Sequence, residues 1–182
     1  MMARRTVPAL ALIAVVAVAV VVYTQQTRPG TQTRAGVTNF TQVDAVIACA
    51  GATETSALDG LKADGFKSII NLRLASERGA NIDENRARAQ ALGLTYIHIP
   101  VDGSNLDPKS IDQFLEAVKQ PANQPVFLHC GSASRVGAMM IAKRVLLDGW
   151  DVEKAVEEAR QIGMRGDALE QFARDYIAAH KG

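Results

Sequence analysis

The stretch Val126 to Leu147 restricts the fold of this chain more than any other. Val126-Phe127-Leu128 is a short apolar run of the buried-strand kind. Small residues follow it, Gly131, Ser132, Ala133 and Ser134, and then a helical stretch over 135–147. Val136, Met139, Met140, Ile141, Val145, Leu146 and Leu147 leave that helix almost no polar face. A helix apolar nearly all round belongs in an interior. A strand that feeds a buried helix through a short loop is a unit of a layered α/β protein.

The rest of the chain fits that class. Short apolar strands are expected at 43–48, 67–72, 94–99 and 125–129, alternating with amphipathic helices. Helices are expected at about 54–63, stopped by Gly65, and at 83–92, closed by Gly93. A third starts at Asp107-Pro108, with Asp107 as its N-cap and Ile111, Phe114, Leu115 and Val118 as its apolar stripe. Two more, at 151–162 and 167–180, complete the chain. The expected architecture is a mainly parallel central sheet of four to five strands flanked by helices.

The loop after the strand carries chemistry. Cys130 stands where the strand ends and Arg135 where the helix begins. Small residues between them let several amides converge at the positive end of a helix dipole. Arg135 adds a planar fork that matches two oxygens of a phosphate or sulfate. The same field favours a thiolate at Cys130, the reactive form of the side chain. His129, beside it, is expected to orient the loop and help keep the sulfur ionised. Arg73, at the end of Asn71-Leu72-Arg73, either buttresses this loop or pairs with Glu77. His98 alternates with Ile97 and Ile99 and is expected in core packing.

Charge narrows the partners. No Asp or Glu precedes Asp44, whereas Arg4, Arg5, Arg28 and Arg34 do. Setting those four of the 20 basic residues aside leaves 16 against 19 acidic, so the folded part is mildly acidic. Nucleic acid is a poor partner for such a surface. No cluster of His, Cys and Asp has zinc spacing, and neither a metal nor a cofactor is expected.

Val7 to Tyr23 is an apolar run behind Arg4-Arg5. At 1.5 Å per residue it spans about 25 Å, near the short limit for a bilayer. The basic flank predicts a cytoplasmic N-terminus and export of the rest. The expected organisation is therefore a signal-anchor or transmembrane helix over 1–23, a flexible linker over 24–36 and a catalytic domain over 37–182. The competitor is a cleaved signal peptide with Ala17-Val18-Ala19 as its site. On the exported side disulfides can form. Cys49 either caps Cys130 reversibly or is a packed thiol.

Several segments together resemble the cysteine-dependent phosphatases of the dual-specificity type. The bacterial branch related to the phosphatase-like domain of beta-lactamase-hydrolase-like proteins is the most similar. The resemblance rests on Cys130 to Arg135, Asn39-Phe40 with Val43-Asp44, Gly65 to Arg73, and Leu94 to Val101. It covers about residues 37–165 and implies a Cys-based phosphatase fold. It also implies hydrolysis of a phosphorylated protein or small phosphate ester through a cysteinyl-phosphate. Cys130 would be the nucleophile, and Arg135 with the amides of Gly131, Ser132, Ala133 and Ser134 would bind phosphate. The family's acid loop falls at Pro100 to Ser104, which makes Asp102 the general acid and Asp107 the alternative. Three features depart from the family pattern. Four residues, not five, separate Cys130 and Arg135, Ala133 stands where the branch usually has Gly, and Val136 replaces the Ser or Thr that follows the Arg. The last change bears on turnover more than on anion binding. A rhodanese-like sulfurtransferase and an anchored, catalytically weak phosphate-binding module remain as alternatives.

Overall fold

In the computed structural model, residues 30–181 are described; the apolar run 7–23 and most of the stretch read as a linker lie outside them. Among the described residues no helix is long and apolar enough to cross a membrane. The strands are β1 (Gly30–Arg34), β2 (Val37–Gln42), β3 (Ile47–Ala50), β4 (Ser68–Asn71), β5 (Thr95–His98) and β6 (Val126–His129). The helices are α1 (Leu58–Ala63), α2 (Ile82–Ala91), α3 (Lys109–Lys119), α4 (Ser134–Leu146), α5 (Val152–Ile162) and α6 (Asp167–His180).

The sheet has six strands in the order β1-β2-β3-β6-β4-β5, not the four to five expected. It is mixed. β3, β6, β4 and β5 run parallel, whereas β1 pairs with β2 and β2 with β3 antiparallel. The expected strand 43–48 is in fact a turn over 43–46 followed by the first residues of β3. The Asp44 carboxylate accepts from the amides of Val46 and Ile47, both at 2.9 Å, and this turn separates β2 from β3. β1 falls inside the stretch read as a linker. Its Thr-Gln-Thr-Arg sequence is polar on both faces, as an edge strand tolerates.

β6 lies in the middle of the sheet, and its side chains alternate between two cores. Phe127 packs with Phe40, Leu58, Leu61 and Phe66 under α1 and α2. Val126 and Leu128 pack with Phe114, Met139 and Met140 under α3 and α4. Every residue from Val136 to Val145 is buried, because α5 and α6 cover the outer side of α4. The central helix read from its apolar sequence is therefore central in fact. Its position fixes the loop between Cys130 and Ala133 at the carboxyl ends of the parallel strands, where open α/β sheets bind ligands.

Candidate active site

The loop is shaped by its small residues and by what approaches it. Ala133 adopts the left-handed conformation, φ 72°, and opens α4. That conformation costs an L-residue roughly 1 kcal/mol and none to glycine, which explains a glycine preference here. Gly51, just after β3, comes close to the loop. A Cβ there would stand 3.2 Å from the Gly131 carbonyl oxygen and 3.3 Å from that of Thr38. The next amide, Ala52, donates to the Gly131 oxygen at 3.0 Å. With Gly131's carbonyl drawn outward, the peptide N–H groups of Gly131 through Val136 find no acceptor among the described residues. Unpaired amides in series at a helix N-terminus form a cradle for an anion.

Arg135 is brought to the same place and held by one edge. Its Nη1 donates to Glu77 Oε1 at 2.6 Å and its Nη2 to Glu77 Oε2 at 2.9 Å. Nη1 also reaches the carbonyls of Leu72 at 3.2 Å and Val101 at 3.0 Å. Nε and the outer Nη2 hydrogen make no such bond, so the second edge of the guanidinium remains for a ligand. That edge lies near Gly131, whose added Cβ would sit 3.3 Å from Nη2. Burial alone would lower the Arg135 pKa, but the hydrogen bonds it donates to Glu77 and the negative charge of an ionised Cys130 raise it above the ordinary value. Cys130 itself, at the start of the loop, exposes no surface.

Glu77 is the residue that sequence reasoning assigned to only half of its partners. It does pair with Arg73, Nε to Oε2 at 3.2 Å, but its main partner is Arg135. Burial would raise its carboxyl. The Arg135 fork, the Leu74 amide and Arg73 together hold it down at about 2. Arg73 is almost wholly buried and donates to the carbonyls of Gly79 at 2.7 Å and Arg78 at 2.8 Å. It thus shapes the loop that presents Glu77, a buttress and an ion pair at once. His98 donates from Nε2 to the Arg73 carbonyl, 2.8 Å away, so it supports this strand end and does not simply fill the core.

His129 differs from its expected role. Burial drives its imidazole down to about 3, and the charges of Arg73 and Arg135 push the same way. A neutral ring adds no positive charge beside Cys130. It stacks on Phe127 at 5.7 Å, and its Nδ1 is the buried side-chain atom left without a partner among the described residues. Asp102 lies on the loop after β5, and its carboxyl is pulled below the ordinary value by the Ser104 hydroxyl and amide. The Ser104 Oγ donates to it at 2.7 Å. Arg135 also contributes to that lowering, which places Asp102 within electrostatic reach of the cradle. Asp107 does what a cap does: its Oδ1 accepts from the Lys109 amide at 3.0 Å. Both cysteines are free and buried, and burial raises the Cys49 thiol well above its ordinary value. Among the described residues no group of His, Cys, Asp and Glu could hold a metal ion.

Residues 14–175 match the family described as a DSP-PTPase phosphatase fused to NAD+ kinase. The chain belongs to this family. Curated relatives agree: it is 36% identical over 89 residues to the beta-lactamase hydrolase-like protein of Agrobacterium fabrum, a match that covers 47% of this chain and 20% of the relative. Identity to the protein of that name from Xylella fastidiosa is 30% over 105 residues, covering 57% and 24%. The matched part is thus about a fifth to a quarter of those relatives' length. TpbA of P. aeruginosa has the same fold at TM-score 0.63 and 16% identity, covering 86% of this chain and 92% of its own. So does the core catalytic domain of the PP-IP phosphatase SIW14 of S. cerevisiae, at TM-score 0.63 and 24% identity, covering 78% and 88%. This phosphatase family is the one that the resemblance of the Cys130 loop implied.

Proposed function

We propose that this member of the DSP-PTPase family hydrolyses phosphate monoesters through a cysteinyl-phosphate. The observation that carries the reading is the set of unpaired amides from Gly131 to Val136 facing an arginine with one free edge. Those groups can hold the three non-bridging oxygens as charge shifts onto them, without rearranging as the reaction proceeds. The Cys130 thiolate attacks phosphorus, the sulfur–phosphorus bond forms and the ester oxygen leaves with its electron pair. Asp102 gives that oxygen its proton. Water then attacks the cysteinyl-phosphate, Asp102 takes the proton back and the thiolate departs. Because Cys130 has no exposed surface, the loop and the Arg135 side chain must part around the incoming phosphoryl group.

One observation favours a slow second step. Val136 offers no hydroxyl to the departing sulfur, and the Ser134 Oγ is tied to the Gly163 carbonyl at 3.3 Å and to the Arg165 amide at 3.2 Å. A family member with that arrangement would form the cysteinyl-phosphate faster than it releases phosphate. Aryl-phosphate hydrolysis by the purified chain tests both points. The expected result is a burst of phenol followed by a slower steady state, no turnover in Cys130→Ser, and a fall of about 10²–10³ in Asp102→Asn. Full turnover in Cys130→Ser would remove the mechanism, and sulfur transfer from thiosulfate outpacing ester hydrolysis would make the protein a sulfurtransferase.

A further inference from the structure

A cavity of about 380 Å3 opens beside the cradle, between the β1–β2 turn, the segment 52–54 and the loop that carries Arg73 and Arg78. Two of its wall residues also serve the cradle. The Ala52 amide bonds the Gly131 carbonyl, and Arg73 shares Glu77 with Arg135. The cavity and the Cys130 loop therefore share Ala52 and Arg73 as neighbours.

The charges in the cavity lining are unevenly committed. Arg34 is paired with Asp64 and lies 4.1 Å from the centroid of the Phe40 ring. Arg73 spends Nε, Nη1 and Nη2 on Glu77 and on the carbonyls of Gly79 and Arg78. The acid of the lining, Glu54, accepts from the Ser56 hydroxyl on its Oε2 at 3.4 Å, and the same oxygen lies against Gly36, another lining residue. Arg78 is left. It is exposed and makes no ion pair or side-chain hydrogen bond among the described residues, and no acid precedes Asp44 in the chain to supply one from the N-terminal stretch. Its main chain is nonetheless fixed, because its own carbonyl is the acceptor for Arg73 Nη2. An arginine held at the mouth of a cavity of ligand size, with no partner of its own, is a site for a second anion.

We infer that the cavity receives a second phosphate of the substrate, bound by Arg78, so that the protein acts on small esters carrying at least two phosphates. This rests on the phosphatase reading of the Cys130 loop, and adds to it the class of molecule. The first phosphate occupies the amides and the free edge of Arg135. A short carbon skeleton passes Ala52 and Arg73, and the second phosphate meets the Arg78 fork.

Calorimetric titration of the full chain in detergent tests the inference, in a Cys130→Ser background so that no ester turns over. The ligands are alkane-α,ω-diyl bisphosphates of increasing length and the alkyl monophosphate of each length. One bisphosphate is expected to bind about tenfold or more tighter than its monophosphate, a gain that an added bidentate contact supplies. Arg78→Ala should reduce that ratio to within about twofold, and Arg78→Lys should restore part of it. Lys67→Ala, which removes the same charge at the opposite end of β4, should leave it intact. A ratio near one at every length, or one undiminished in Arg78→Ala, overturns the second subsite while the cradle stands. Absence of binding by mono- and bisphosphates alike overturns the cradle as well.

Discussion

Ser104 governs how readily Asp102 can act as an acid. Its hydroxyl and amide both donate to Oδ1, at 2.7 and 2.8 Å, and each hydrogen bond favours the ionised carboxylate. An acid must be protonated before it can give a proton, so a lowered pKa confines fast hydrolysis to more acidic solution. Ser104→Ala removes the hydroxyl donor and lets the carboxyl rise towards its ordinary value. The basic limb of the rate profile should then move to higher pH, a displacement read from kcat/KM for an aryl phosphate across pH 4–8. An unmoved limb would take the acid role away from Asp102. At this scale the sequence was legible where chemistry is local. Cys130 and Arg135 share one loop, and the small residues between them announce it. Glu77 was legible only in part, since it stands 58 residues before Arg135 and no spacing rule joins them. For His129 adjacency to the nucleophile suggested a charge, whereas its depth of burial, which no neighbour in sequence announces, disfavours the protonated ring.

Helix α4 is fastened at both ends, and its far end depends on a buried ionic cluster. Arg144 is nearly inaccessible and donates to Glu158 at 2.7 and 3.1 Å and to Asp148 at 2.7 Å, with Asp44 3.0 Å away. It therefore ties α4 to α5 and to the turn between β2 and β3. Glu158 is as buried as Arg144, so removing the arginine leaves a carboxylate without water or partner. Arg144→Ala should cost about 3–5 kcal/mol. Arg144→Met combined with Glu158→Leu should cost clearly less than the two single changes added together, because the pair can be replaced as a unit. Chemical denaturation of the wild type, the two single variants and the double variant measures this, and simple additivity would show that Arg144 and Glu158 contribute independently. The elements themselves were largely readable. Helices 82–91, 134–146 and 167–180 fall within a residue or so of their expected ranges, since each has a clear apolar stripe or stop signal. β1 was not readable, and β2 was so only through the resemblance carried by Asn39-Phe40, because an edge hairpin of Thr, Gln and Asn lacks the alternation that marks a half-buried strand.

The whole molecule combines a neutral buried histidine with a strongly ionised glutamate at one site, and this makes its stability sensitive to acid in a definite order. His129 titrates at about 3 when folded against an ordinary value of 6.5. Its folded value is depressed, so the unfolded chain binds the proton first. The contribution is complete above pH 6.5 and is lost as pH falls towards 3, by up to about 1.4 kcal/mol per unit. Glu77 follows, folded at about 2 against 4.5, and its contribution is complete above 4.5 and lost on the way down to 2. Between pH 6.5 and 4.5 the slope therefore belongs to His129 among the shifted groups, and below 4.5 the carboxylates steepen it. Urea denaturation at half-unit intervals should show uptake of about one proton on unfolding in the upper window, rising below it. Whatever the starting stability of His129→Asn, its slope in the upper window should flatten, and slope rather than midpoint is the quantity that reports the titration. A wild-type slope near zero between pH 6.5 and 4.5 would mean that the ring carries its proton in the folded protein. The imidazole would then be a cation beside Cys130 after all, and the amides and Arg135 would share the task of holding the thiolate with it.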